Sequence, residues 1–93
     1  MSKNVRAHAI VSGVVHTVGF RSFTVRLANE YGLCGWVRNM PDGSVEIEVE
    51  GNRGLVLDFV EEVRVGTPAA RVTAVDVQWG SYTGEYKEFH VKF

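Results

Sequence analysis

The sequence predicts an α+β sandwich in which an antiparallel sheet is covered on one face by two helices. The 93 residues are 45% apolar, which is enough for one packed core and too much for a disordered chain. Two segments repeat their apolar residues with helical spacing, and at least four others have strand patterns. Their order is β-α-β-β-α-β with a short terminal strand, so residues 1–93 are expected to form one domain.

Two of the strands have the clearest patterns. The first strand is predicted over Val5–Val15, and both of its faces are fairly apolar, which is typical of a central strand. Residues Ser44–Glu50 alternate most regularly, with valines and an isoleucine on one face. We expect the other face, formed by Glu46, Glu48 and Glu50, to be solvated.

The remaining strands follow from turn signals. A strand over Leu33–Asn39 is followed by the turn Met40–Gly43, which contains Pro-Asp-Gly, so this strand should form a hairpin with the next. The apolar parity of Arg71–Trp79 breaks near Thr73, which indicates a bulge or a late start of that strand. The chain is expected to end with a turn over Gly80–Glu85 and a short strand over Glu88–Phe93.

The helices are predicted from periodic apolar stripes and from their end signals. Residues Arg21–Tyr31 form one helix, which Gly32 ends. Residues Asn52–Val65 form the other, with Asn52 or a neighbour as N-cap and Gly66 at its end. This order of elements is that of the split βαβ, ferredoxin-like fold, which hosts many functions and therefore does not name one.

Charge and cysteine content exclude several function classes. Ten basic residues face eleven acidic ones, and this near-balance argues against a nucleic-acid-binding or membrane-surface protein. The single cysteine, Cys34, rules out an internal disulfide and cysteine-ligated zinc. There is no secretory signal and no apolar run of membrane-spanning length. We therefore expect a soluble, cytoplasmic protein that binds neither nucleic acid nor membrane.

The junction between the first strand and the first helix suggests chemistry. A tight loop over residues 13–20 leads into a helix that carries Arg21 in its first turn. A cation there is unfavourable by about 0.3–1 kcal/mol, because the helix N-terminus is already partly positive. Loop amides, helix N-terminus and guanidinium would together hold a phosphate or a carboxylate. The alternative is a surface arginine that extends into water.

This junction and the hairpin together resemble the acylphosphatase family. The family carries Gly-x-Val-Gln-Gly-Val-x-Phe-Arg after its first strand and Gly-[Trp/Tyr]-[Val/Ala]-x-Asn-x-x-[Asp]-Gly-x-Val across its hairpin. The first motif is matched by Gly13, Val15, Val18, Phe20 and Arg21, and the second by Gly35, Trp36, Val37, Asn39, Asp42, Gly43 and Val45. By itself, Asn39 would be interpreted as a turn or capping residue.

The resemblance implies hydrolysis of acyl phosphates to a carboxylate and inorganic phosphate, without metal, cofactor or covalent intermediate. It implies that Arg21 binds the phosphate and that Asn39 orients the attacking water. The backbone amides that would hold the phosphate belong to Val15, His16, Thr17, Val18, Gly19 and Phe20. The implied partners are a small acyl phosphate and inorganic phosphate, which acts as product and inhibitor, and the expected oligomeric state is a monomer.

The loop departs from the family at His16-Thr17, where the family has Gln-Gly. If that glycine has positive φ, Thr17 is strained there by about 1–3 kcal/mol; otherwise its hydroxyl adds a donor. His16 would add a positive charge that depends on pH. The alternative function is therefore a catalytically weakened, anion-binding or regulatory domain of the same family. Since no partner domain follows Phe93, a free enzyme is the expectation.

Overall fold

The computed structural model describes residues 3–16 and 19–93, which form a five-stranded sheet and two helices. The strands lie in the order β4-β1-β3-β2-β5. The elements in chain order are β1 Asn4–Val14, α1 Phe20–Glu30, β2 Cys34–Asn39, β3 Val45–Asn52, α2 Arg53–Val65, β4 Arg71–Ser81 and β5 Phe89–Val91.

The first four strands form the predicted antiparallel sheet. β1 lies between β4 and β3, as its two apolar faces predicted, and β2 and β3 form the predicted hairpin. The short β5 pairs in parallel with β2, from Gly35 opposite Phe89 to Val37 opposite Val91, which makes the whole sheet mixed. β5 runs opposite to β4 and therefore in the same direction as β2, because β4 is antiparallel to β1, and β1 and β2 are both antiparallel to β3.

One face of the sheet packs against both helices. Alternate residues of the central strands are buried on this face, as period-two patterning requires. The helices contribute the predicted stripes, and neither described helix has the length and apolarity needed to cross a bilayer. The residues that β1, β3 and the two helices bury in this core are Ala7, Ala9, Val11, Val45, Ile47, Val49, Phe20, Thr24, Leu27, Ala28, Val56, Phe59, Val60 and Val63.

The bulge predicted near Thr73 is present. Along β1 and β4, Ser12 pairs with Ala74 but Gly13 pairs with Val72, so Thr73 is the extra residue. β4 then continues to Ser81, and the turn predicted from Gly80 therefore starts two residues later than expected. The longer strand is possible because β1 offers pairing partners as far as Val5.

The prediction of a solvated glutamate face is wrong for all three residues, since the Glu46 side chain is only 13% exposed and is bonded to His8 and Arg38. Glu48 is only 6% exposed and Glu50 only 2%, although their face is the one away from the helices. Arg6 covers Glu48 with an Nε to Oε2 distance of 2.5 Å. Alternation correctly predicted which residues share this face, but it could not show what covers them.

Residues 82–88 form the second part of this cover. The carboxylate of Glu50 accepts hydrogen bonds from the backbone amides of Thr83 and Gly84, at 2.8 and 3.0 Å, and from the Thr83 hydroxyl. The indole of Trp36 donates to the hydroxyl of Tyr86 at 3.3 Å. These contacts fix the segment that leads into β5. The position of β5 matters because the residues that follow it reach the site described next.

Candidate active site

The sheet brings the ends of β1 and β2 to the same edge of the molecule. Val11 pairs with Val45 on β3, and Val45 pairs with Asn39 on β2. Both strands are antiparallel to β3, so they run in the same direction. With strands about 4.8 Å apart, β1 and β2 are separated by about 10 Å. The loop after β1 and the turn after β2 therefore leave the sheet side by side.

The loop between β1 and α1 is fixed at both of its ends by the core. Val15 and Phe20 are each 1% exposed. Gly19 precedes the helix with φ 71° and ψ 24°, a left-handed conformation that glycine adopts without strain. His16 is half-buried. Thr17 and Val18 lie outside the described residues, so the strain predicted for Thr17 remains an expectation.

The N-terminus of α1 has no capping side chain among the described residues and no acidic residue in its first turn. By contrast, Asn52 caps α2 with its side-chain oxygen, which accepts from the amides of Gly54 and Leu55 at 3.0 and 3.3 Å. The first amides of a helix have no partner within that helix. At α1 these amides carry the positive end of the helix dipole, and no residue of the first turn is acidic.

Arg21 adds a full positive charge to this helix end. It is half-buried, and its guanidinium forms no salt bridge with any residue in the described ranges. Its Cζ lies 5.7 Å from the ring centroid of Phe93, within cation–π range. Lys92, the residue before this ring, donates its backbone amide to Val37 on β2 at 2.9 Å. The last residues of the chain therefore connect the first turn of α1 to the strand that carries Asn39.

Asn39 is the last residue of β2 and points to the helix-covered face, as Val37 does two residues earlier. Its Oδ1 is buried and has no hydrogen-bond partner among residues 3–16 and 19–93. A buried acceptor without a donor costs about 1–3 kcal/mol. Its position is explained if it accepts a hydrogen bond from a molecule that binds here.

The turn after Asn39 contains two residues that sequence analysis did not assign to the site. Asp42 Oδ1 accepts from the backbone amide and the hydroxyl of Ser44, at 2.9 and 2.6 Å. These hydrogen bonds are the main reason that the pKa of Asp42 lies below its ordinary value. His16 reaches this turn, with its Nε2 3.2 Å from the Ser44 carbonyl oxygen. The Asp-Gly-Ser sequence signals the turn, but no sequence pattern signals the contact with His16.

The donor set at this edge suits an anion rather than a cation. It consists of backbone amides, the Arg21 guanidinium and the Asn39 amide. Within the described parts of the chain, no three His, Cys, Asp or Glu side chains cluster as metal ligands would. Arginine binds phosphate with two parallel hydrogen bonds and stays charged at all relevant pH values. Donors of these kinds favour an anionic ligand at this edge.

Comparison with known proteins agrees with this chemistry. A family model described as acylphosphatase matches residues 7–91. The acylphosphatase of Anaeromyxobacter sp. (strain Fw109-5) is 47% identical over 92 residues, covering 99% of each chain. That of Syntrophobacter fumaroxidans is 46% identical over 88 residues, covering 95% of this chain and 91% of the relative. The crystal structure of acylphosphatase from Bacillus subtilis superposes with a TM-score of 0.92 at 36% identity, covering 96% of this chain and 99% of the other. The chain therefore belongs to the acylphosphatase family.

Proposed function

We propose that this chain hydrolyses acyl phosphates to a carboxylate and inorganic phosphate at the edge where β1 and β2 end. The phosphate is held by the backbone amides of residues 15–20 and by Arg21. Asn39 orients the water that attacks phosphorus. Acyl phosphate hydrolysis is the activity of the family to which the chain belongs, and the roles of Arg21 and Asn39 are those that the resemblance to the family implies.

The observation that favours hydrolysis over mere anion binding is the buried Oδ1 of Asn39. A site that only binds phosphate needs donors, and an acceptor beside it repels the anion. A water molecule, however, donates hydrogen bonds and can use such an acceptor. Holding water in this way converts a bimolecular attack into one within a bound complex, which lowers the entropic part of the barrier. Asn39 acts by position alone, since its amide has no useful titration.

The chemistry requires little else from the protein. Water oxygen forms a bond to phosphorus while the bond from phosphorus to the acyl oxygen breaks. The carboxylate leaves as a stable anion and needs no strong general acid, and a phosphate oxygen of the substrate takes the water proton. Phosphoryl transfer is catalysed mainly by positioning and charge stabilisation, which the Arg21 guanidinium and the helix amides supply.

We also propose the domain organisation, oligomeric state and cellular location in which the chain acts. Residues 1–93 act as a single domain, because the family match spans residues 7–91 and every candidate residue comes from one chain. The enzyme is a cytoplasmic monomer, in which Cys34 stays reduced. Inorganic phosphate binds as product and competes with the substrate.

The first test is the hydrolysis of benzoyl phosphate in the presence of a chelator, with Arg21→Ala as the key variant. We expect Arg21→Ala to lower kcat/KM by about a hundredfold or more, in the range seen when a transition-state donor is removed. Arg26→Ala is the matched control, since Arg26 is an exposed arginine on the same helix. Equal activity of the two variants would exclude Arg21 as the phosphate ligand.

The second test separates the role of Asn39 from that of Arg21. Asn39→Ala should lower kcat by about a hundredfold while the inhibition constant of inorganic phosphate stays within about twofold. An equal loss of phosphate affinity in both variants would contradict this division of roles. A wild-type chain that is protected from heat by phosphate but does not hydrolyse benzoyl phosphate would be the weakened, anion-binding domain.

A further inference from the structure

We propose that the side chain of His16 is a positioning residue: it ties the phosphate loop to the β2–β3 turn and so sets the distance between the loop amides and Asn39. This proposal rests on the proposed function and assigns a role that the sequence motifs do not. The hydrogen bond from Nε2 to the Ser44 carbonyl joins residues that are 28 positions apart. Within the described ranges, this is the side-chain hydrogen bond that joins the β1–α1 loop to the β2–β3 turn.

The acceptor of this bond is already part of the turn's own structure. The Ser44 carbonyl oxygen also accepts the backbone amide of Met40, at 2.8 Å, and Met40 directly follows Asn39. The same Ser44 is held on its other side by the two hydrogen bonds to Asp42. His16 therefore bonds to a turn that is held by its own hydrogen bonds. The carbonyl oxygen that it contacts also accepts from Met40, the residue that follows Asn39.

Within the loop, His16 directly follows the buried residue Val15. Val15 is 1% exposed and belongs to the core. A bond from His16 to the turn extends the fixed part of the loop towards the residues whose amides would bind phosphate. Displacement of a reacting group by about 1 Å can cost a hundredfold in rate, so such a bond has kinetic consequences.

The chemistry of the bond fixes the tautomer of His16. A carbonyl oxygen only accepts, so Nε2 must carry the hydrogen. An Nε2–H donor is present in both the neutral and the cationic imidazole, and the tie therefore persists whichever form is present. The charged group that faces His16 from the turn is Asp42. The pKa of Asp42 is lowered mainly by Ser44, so this carboxylate stays ionised from pH 6 to pH 8.

The test compares variants that keep or remove the donor. His16→Gln keeps an N–H donor at a similar distance from the backbone, whereas His16→Leu and His16→Ala do not. We expect His16→Leu and His16→Ala to lower kcat/KM by about tenfold and His16→Gln to stay within about threefold of the wild type. The wild-type to His16→Leu ratio should be constant between pH 6 and pH 8. His90→Leu, at an exposed position, is the control.

A double-mutant cycle identifies the partner through which His16 acts. In the Asn39→Ala background, His16→Leu should cause no further loss of kcat, because the group that it positions is gone. Equal losses in the Gln and Leu variants, a ratio that rises at low pH, or additive losses with Asn39→Ala would each overturn the proposal. If Arg21→Ala were as active as the wild type, the proposed phosphate site would fail instead, and the two failures are thus distinguishable.

Discussion

At Gly13 the backbone of β1 comes so close to β4 that any side chain would overlap the carbonyl oxygen of Arg71. The close approach results from the bulge at this point, and the φ of 126° is one that other residues rarely adopt. Gly19, at the other end of the loop, also has positive φ, but a Cβ there would meet no atom of residues 3–16 and 19–93 within 4 Å. Glycine is therefore needed at these two positions for different physical reasons.

This difference predicts unequal costs for two identical substitutions. Gly19→Ala should lower the free energy of unfolding by about 1–2 kcal/mol, which is the cost of a left-handed conformation alone. Gly13→Ala should cost more, about 3 kcal/mol or above, because strain is added to a backbone overlap that only a shift of β4 relieves. Urea unfolding of both variants measures this, and a larger loss for Gly19→Ala would show that the bulge can open cheaply.

At the scale of elements, the two helices differ in how their N-termini are satisfied. α2 begins with an asparagine cap, whereas α1 begins at a glycine without a capping side chain among the described residues. A capped helix end is stabilised but has fewer free amides, and an uncapped end keeps its amides available for a ligand. The helix that lies at the candidate site is the uncapped one.

Removal of the α2 cap should therefore affect stability and not activity. Asn52→Ala should lower the free energy of unfolding by about 1 kcal/mol, because the amides of Gly54 and Leu55 lose their acceptor. Since α2 contributes no candidate residue, kcat/KM for benzoyl phosphate should remain unchanged at temperatures where the variant is folded. Asn52→Asp retains an acceptor and serves as the control. A loss of activity without loss of stability would mean that α2 takes part in the site.

Over the whole molecule, the sheet face away from the helices is held by ionic hydrogen bonds between strands. Glu46 on β3 is contacted by His8 on β1, at 2.6 Å, and by Arg38 on β2, at 2.5 Å. Burial by itself raises the pKa of Glu46, but the hydrogen bonds from His8 and Arg38 outweigh it and the net shift is downward. A carboxyl group with a lowered pKa in the folded state stabilises the fold while it is ionised.

The sign of this shift predicts how acid affects the fold. The contribution of Glu46 is fully present above its ordinary pKa of 4.5 and is lost as the pH falls from there through the lower pKa of the folded state. Between pH 6 and pH 3, the free energy of unfolding should therefore decrease less in Glu46→Gln than in the wild type. Glu88→Gln, at an exposed position, is the control. Urea unfolding at several pH values gives the comparison, and parallel curves for wild type and Glu46→Gln would contradict the assigned shift.

How far the sequence predicts the molecule can be judged from particular residues. The alternation around Ile47 predicted β3, the parity break near Thr73 predicted the bulge, and the polar side chain of Asn52 predicted the cap of α2. Each is a local signal, because it depends on the period of a single element or on a side chain that bonds its own backbone. The two motifs around Arg21 and Asn39 likewise predicted the family that the comparisons show.

The sequence by itself determined the order of the elements, the residues that share each face, the family and the candidate residues Arg21 and Asn39. Only the tertiary structure decided that Glu48 and Glu50 are buried, that Asn39 Oδ1 is buried without a partner in the described residues, and that His16 bonds to Ser44. The physical reason is sequence separation. Periodicity reports the orientation of a side chain within its own element, whereas burial and hydrogen bonding depend on segments that lie far away in the chain and meet it only after folding.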